Sequence, residues 1–180
     1  MISKTILRAQ LLVAKNLGYL EKIRKASNSK WPVHILMGIA SRETNLNPLW
    51  NRVPGDHGNG HGLFQIDKRF HYDWVQKGLW KDPYESALKA IQVLNELQDR
   101  AIMYSELKLV TATTLQGRGY TTATRPIDNL KLLPITIASY NCGLWAYYHY
   151  CKGRDVDTGT TGADYSKDVL YRAEIFKQLI

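Results

Sequence analysis

Apolar positions recur along most of the chain at helical spacing. Ile6, Leu11, Leu12 and Ala14 predict an amphipathic helix over about 3–15, and a second covers about 18–27. A third helix opens at Pro32, where a missing N–H costs nothing because the first turn has no partner for it. Val33, Leu36, Met37 and Ala40, widened by Ile35 and Ile39, make it apolar almost all round, so it should be buried. It ends near Ser41–Thr44. The periodicity then stops, and 50–72 reads as Gly-rich turns with a short strand near Leu63–Ile66. "DPYE" at Asp82–Glu85 is the clearest helix start, with a capping Asp, a first-turn Pro and a Glu at the capping-box position. Ala87, Leu88, Ile91, Leu94, Ala101 and Ile102 carry that helix to about 105. Residues 111–129 are polar, Thr- and Gly-rich and aperiodic, which predicts a long loop. Pro134 opens another buried helix, "PITIASYN", stopped at Gly143. Asp164 caps a final helix with Tyr165, Val169, Ala173 and Phe176 on one face. With no repeat and no linker, residues 1–180 predict a single, mainly helical domain.

Composition narrows the classes. Hydrophobic residues at 44% and charged residues at 22% exclude wholesale disorder. The 24 Lys and Arg against 16 Asp and Glu give +8, a surface that attracts nucleic acid, anionic lipid or acidic cell-wall polymer, though solvated helix faces give the same excess. The lysines are scattered and no nucleic-acid motif is present, which points away from nucleic acid. No segment approaches membrane-span length, so stable insertion is not expected. The N-terminus is basic and apolar, but Arg8 and Gln10 interrupt it and no small-residue cleavage site follows. The expectation is synthesis in the cytoplasm without a secretion signal. Cys142 and Cys151 are too few for a disulfide framework, and their pairing is left open.

Three carboxylates stand out. Glu43 follows a buried apolar helix, where desolvation would raise its pKa and keep it protonated, as a general acid requires. The competing assignment is a last-turn surface Glu paired with Arg42. Asp56 and Asp67 edge the stretch "GDHGNGHGLFQID". Two carboxyls flanking a sugar bond are the usual equipment of glycoside hydrolysis, while an Asx-turn and a cap are the local alternatives. Gly58, Gly60 and Gly62 lack the sequence context of a phosphate loop. His57 and His61 have metal spacing only on a helix, which three glycines disfavour. The glycines instead permit sharp turns or close approach to a ligand. Five Trp and 11 Tyr supply rings with apolar faces and polar tips, which suit sugars.

The blocks "ASRETN", "GDHGNGHGLFQIDKRFH", "ASYNCG" and "GTTGADYSKDVLYRA", in this order over roughly three quarters of the chain, resemble the goose-type lysozymes, relatives of the lytic transglycosylases. The resemblance implies a mainly α, α+β lysozyme-like fold: a helical bundle with a small β-region beside the substrate cleft. It implies Glu43 as catalytic acid and Asp56 and Asp67 as the residues that hold or activate water. It places Gln65, His71, Tyr140, Asn141 and Tyr165 along the sugar cleft. Cys142 stands where the family usually has a smaller residue, and 111–129 looks longer than the family's norm. The combination also resembles a bacteriophage endolysin, held in the host cytoplasm until lysis.

The implied activity is hydrolysis of the β-1,4 bond between N-acetylmuramic acid and N-acetylglucosamine, by a monomer acting on bacterial peptidoglycan with no metal or organic cofactor. Inversion would separate acid and base by about 6.5–9.5 Å. The alternatives are a lytic transglycosylase, in which the substrate's own hydroxyl attacks, and a non-catalytic wall-binding module.

Overall fold

The computed structural model describes residues 2–114 and 116–180, and its contacts divide the chain into two compact units, 1–92 with 168–180, and 93–167. Among the described residues there are eight α-helices and two small antiparallel sheets.

In the first unit, α1 (Lys4–Asn16) starts where the Ser3 hydroxyl accepts from the Ile6 amide, and α2 (Tyr19–Ala26) follows. The buried face of α1 is Leu7, Gln10, Leu11 and Ala14; the expected Ile6 and Leu12 are 50% and 59% exposed. Apolar residues lie on both sides of this helix, so the pattern alone does not choose the buried one. The apolar helix is α3 (Val33–Thr44), buried from Ile35 to Ser41 as its composition required, with Pro32 as its cap rather than its first turn. Gly38 lets α3 lie against α8 (Tyr165–Leu179), because a Cβ there would meet the Val169 carbonyl oxygen at 2.7 Å. Tyr165, Val169, Ala173 and Phe176 are all buried, as expected.

The irregular segment contains two short strands, β1 (Gly60–His61) and β2 (Ile66–Asp67), paired Gly60↔Asp67 and His61↔Ile66. The strand expected at Leu63–Ile66 is thus mostly the turn between them. Leu63 and Phe64 are fully buried there, anchoring the turn to the core. A short helix absent from the sequence reading, α4 (Tyr72–Gln76), comes next. Then α5 (Pro83–Ser105) runs from the first unit into the second. Asp82 Oδ1 accepts from the Tyr84 amide at 3.0 Å, as its capping role required.

The second unit corrects two expectations. The long loop at 111–129 is largely a hairpin, β3 (Leu109–Thr113) paired with β4 (Gly119–Ala123); Leu115 lies outside the described residues. Its strands are Thr-rich, and threonine's branched Cβ fits a pleated surface despite its polarity. Val110 and Ala112 point into the core while their neighbours face outward. The buried helix begins five residues before Pro134: α6 (Asn129–Cys142) is capped by Asp128, whose Oδ1 accepts from the Leu130 amide at 2.8 Å, and carries Pro134 inside it. After it comes an aromatic helix the sequence reading missed, α7 (Trp145–Cys151). Tyr147 and Tyr150 pack with Ala101, Val110 and Ile135. Their hydroxyls donate to the Arg125 and Pro126 carbonyls at 2.8 and 2.7 Å, which ties down the segment ahead of α6.

Candidate active site

Glu43 sits half-buried in the last turn of α3, and a chain of buried polar contacts surrounds that turn. Gln10 Nε2 donates to Asn45 Oδ1 at 3.1 Å, and Gln10 Oε1 accepts from the Ser41 hydroxyl at 2.5 Å. Arg172 Nη1 donates to both the Ser41 hydroxyl and the Ser41 carbonyl at 2.9 Å. Arg172 Nε and Arg42 Nη1 converge on Asp168 Oδ2 at 2.7 and 2.8 Å. Asp168 is only 2% exposed, so two guanidiniums supply the neutralisation that a buried carboxylate needs. Residues on both sides of Glu43 are therefore fixed by α1 and α8. Asp168 and Arg172 are functional candidates the sequence reading missed. Their i,i+4 spacing is a signal for a helix ion pair, but not for one that is buried and captures Arg42.

The same turn reaches the Gly-rich segment. Thr44, 3% exposed, places its hydroxyl 2.8 Å from the Ala40 carbonyl oxygen and 3.0 Å from that of Leu63. The end of α3 and the β1–β2 turn are thus joined one residue after Glu43.

The glycines of that segment serve the protein's own side chains. Gln65, at φ 48°, folds back so that Nε2 donates to the Gly62 carbonyl at 2.9 Å. Its Oε1 lies where a Cβ on Gly55 or Gly60 would be, 2.1 and 2.3 Å from those built positions. Close approach is therefore made by Gln65, where the sequence also allowed a ligand. Gly62, at φ 74°, has no room either, since a Cβ would stand 2.6 Å from the Trp80 carbonyl oxygen. His61 is buried edge-on against Trp80 at 5.0 Å, with Nδ1 2.9 Å from the Asn59 carbonyl oxygen. Among the described residues no cluster of three His, Cys, Asp or Glu side chains is disposed to hold a metal ion.

Arg69 brings the two aspartates together. Its Nε lies 3.0 Å from each oxygen of Asp67, its Nη2 is 2.5 Å from Asp67 Oδ2, and its amide donates to Asp67 Oδ1 at 2.8 Å. The same Nη2 stands 3.6 Å from Asp56 Oδ2. Partial burial opposes ionisation of Asp67, but the side-chain and amide hydrogen bonds from Arg69, its charge and that of His71 together hold the carboxyl below its usual range. Asp56 is exposed, at φ 45°, beside His57 at φ 53°, so two successive non-glycine residues occupy the left-handed region. Such backbone persists only when its surroundings hold it, and here the Gly55–Gly60 backbone pair closes the loop at 2.7 and 3.0 Å. Asp67, expected locally as a cap, instead makes an Asx-turn to Arg69, the local role expected of Asp56, and His71 stands at the cap of α4.

The other predicted cleft residues belong to the second unit. Tyr140 lies half-buried on α6, and Asn141 Oδ1 accepts from the Thr161 amide at 2.9 Å, tying the end of α6 to the segment before α8. Tyr165 is 2% exposed, which makes it a packing residue in this structure. Its amide donates to Thr160 Oγ1 at 3.3 Å. The following two amides, of Ser166 and Lys167, donate to the fully buried carboxylate of Asp157 at 2.7 and 3.2 Å. Asp157 thus satisfies donors at the start of α8, a role the sequence reading assigned to Asp164 alone. Cys142 and Cys151 are both free thiols.

Mainly helical architecture with a small β-hairpin near a helix-terminal glutamate is that of a lysozyme-like α+β protein. The chain matches the lysozyme g family over residues 11–179. Lysozyme g of Gallus gallus is 31% identical over 144 residues, 80% of this chain and 56% of that protein. Lysozyme G of Dromaius novaehollandiae is 29% identical over 144 residues, covering 80% and 58%, and lysozyme g of Cyprinus carpio 28% over 156 residues, covering 87% and 69%. The chain belongs to the lysozyme g family. It spans less than two thirds of the length of the two avian relatives.

Proposed function

We propose that the chain is a peptidoglycan-cleaving glycoside hydrolase acting on the β-1,4 bond between N-acetylmuramic acid and N-acetylglucosamine. Glu43 in its protonated form gives its proton to the departing glycosidic oxygen. Asp56 or Asp67, as a carboxylate, orients a water on the opposite face of the sugar and accepts its proton as the water oxygen bonds to the anomeric carbon. The anomeric configuration inverts, and the product has a free reducing end. Gln65, His71, Tyr140, Asn141 and Tyr165 are the residues proposed to contact substrate. The excess positive charge draws the enzyme to an anionic wall.

The observation that carries this reading is the Arg69 bridge, which pairs the carboxylate at the end of β2 with that of the turn before β1, next to a β1–β2 turn tied to the turn of Glu43. The test is Glu43→Gln, nearly isosteric but unable to donate a proton. Clearing of purified peptidoglycan should fall at least a hundredfold, and an undiminished rate would overturn the assignment. Mass analysis of the products reads the chemistry directly: anhydro-muramyl ends, one water lighter than reducing ends, would establish a transglycosylase instead.

A further inference from the structure

At the end of α6 remote from Tyr140, three cations share a cavity that the cleavage scheme does not use. The cavity, of ≈ 230 Å³, is lined by Arg125, Asp128, Lys131, Tyr150, Gly153 and Arg154. Lys131 lies in the first turn of α6 and Tyr140 in its last, about 14 Å apart along the axis at the rise of an α-helix. The Arg125 guanidinium lies over the Tyr150 ring, 4.9 Å from its centroid, and the Arg125 amide donates to the Tyr147 hydroxyl at 3.3 Å. Tyr150 is buried, and its hydroxyl is bonded to the Pro126 carbonyl, so the floor of the cavity is fixed. At the end of α7, Gly153, at φ 68°, donates its amide to the Tyr150 carbonyl, and Arg154 donates its amide to the His149 carbonyl, each at 2.9 Å. That paired closure needs a left-handed residue, which Gly153 supplies, and it sets the point from which Arg154 emerges. Lys131 has the wrong sign for its place, because the start of a helix carries partial positive charge.

None of these three cations has a carboxylate at ion-pair distance among the described residues. Asp128 is the one carboxylate in the lining, and its Oδ1 accepts from the Leu130 amide at 2.8 Å as the cap of α6. Asp155, which Lys131 also faces electrostatically, is bonded to Lys167. Three like charges around one small cavity repel one another, and an anion relieves that repulsion. Two guanidiniums and an ammonium match a phosphate group better than a carboxylate. A terminal phosphate carries nearly two negative charges at neutral pH and three acceptor oxygens, and a guanidinium takes two of those oxygens in a fork. We infer that this cavity is a phosphate-binding site, with Arg125, Arg154 and Lys131 closing on the oxygens of one phosphate group. The same group is offered by free phosphate and by the headgroup of an anionic lipid. Leu130, next in sequence to Lys131, is 83% exposed. It would lie against acyl chains only where the phosphate belongs to a lipid, so its substitution separates the two sources. The site stands apart from the proposed cleavage chemistry and does not depend on it.

Calorimetric titration with inorganic phosphate at low ionic strength, with sodium chloride as the reference, reads the site directly. Binding should saturate at one phosphate per chain and weaken as salt rises. Arg125→Gln/Arg154→Gln should weaken it about tenfold, the loss of two partly screened charge contacts. Arg8→Gln/Lys15→Gln removes the same net charge from α1 and should leave it unchanged. Lys131→Gln should also weaken phosphate binding while the melting temperature holds or rises, because the start of α6 loses an opposed charge. A folding defect does not produce that combination. Sedimentation with vesicles of phosphatidylcholine and phosphatidic acid in equal parts identifies the source. Capture that Leu130→Ser weakens, with inorganic phosphate binding unchanged, assigns the phosphate to a lipid. Saturable phosphate binding without capture assigns it to a soluble ligand. Absence of saturable phosphate binding, or an equal loss in the α1 double variant, would overturn the inference.

Discussion

Asp168→Asn tests the buried network that holds the turn of Glu43. The change preserves shape and removes one charge, leaving Arg42 and Arg172 facing each other across an amide. Asp168 is 2% exposed, and the side chains of Arg172 and Arg42 are 8% and 21% exposed, so water can replace little of the lost attraction. Breaking a buried pair by removing one partner costs about 3–5 kcal/mol. The partial exposure of Arg42 places this case near the lower end, about 3 kcal/mol. For a chain of this length that corresponds to a fall in Tm of roughly 6–12 °C. Urea unfolding measures the loss as a lower midpoint with an unchanged slope. At a temperature where the variant is still fully folded, kcat on peptidoglycan should fall about tenfold or more, because misplacing a reacting group by an ångström is enough. KM should change little, since Asp168 is buried and touches no substrate. A stability loss under about 1 kcal/mol would refute the energetic argument. A full stability loss with kcat intact would refute the link to Glu43.

Further outcomes follow from the same geometry. Arg69→Gln removes the hydrogen bonds and charge that hold Asp67 below its usual range, so its carboxyl should titrate at higher pH. The stability this ionisation contributes is present above the unfolded value of about 3.9 and is lost as pH falls through the lower folded value. In the variant that contribution should shrink, flattening the acid dependence of stability, while the acid limb of kcat/KM should begin at higher pH; an unmoved limb would show that Asp67 does not titrate in the reaction. Gly38→Ala forces a methyl to 2.7 Å from the Val169 carbonyl oxygen, a backbone atom, and should cost about 1–3 kcal/mol by thermal unfolding, whereas a neutral result would refute the close contact between α3 and α8. Burial pushes the Cys142 thiol up to about 12, so it should resist an aromatic disulfide reagent at pH 8 and react once denaturant is added.

Much of the candidate site was legible because its signals are local. The end of an apolar helix located Glu43, and a dense run of glycines located the turn that bears Asp56 and the hairpin that bears Asp67. The purpose of those glycines was not legible. Gly55 and Gly60 leave space for a carboxamide contributed by Gln65, and only the folded hairpin puts that group over them. Arg69 was visible as a basic residue two positions after Asp67, but its reach to Asp56 depends on how the loop closes between Gly55 and Gly60.

Local backbone preference and periodicity act over a few residues, so the sequence by itself determined where α2, α3, α5 and α8 form and which residue types could carry chemistry. It did not determine which of two apolar faces of α1 is buried, because Ile6 and Leu7 are equally hydrophobic and only packing favours Leu7. Nor did it determine that the Thr-rich segment pairs into β3 and β4, since a strand's stability comes from its partner and from the core beneath Val110 and Ala112. The ion pair between Arg42 and Asp168 joins residues 126 positions apart. Burial raises the cost of leaving either charge unmatched, and burial is a property of the assembled tertiary structure.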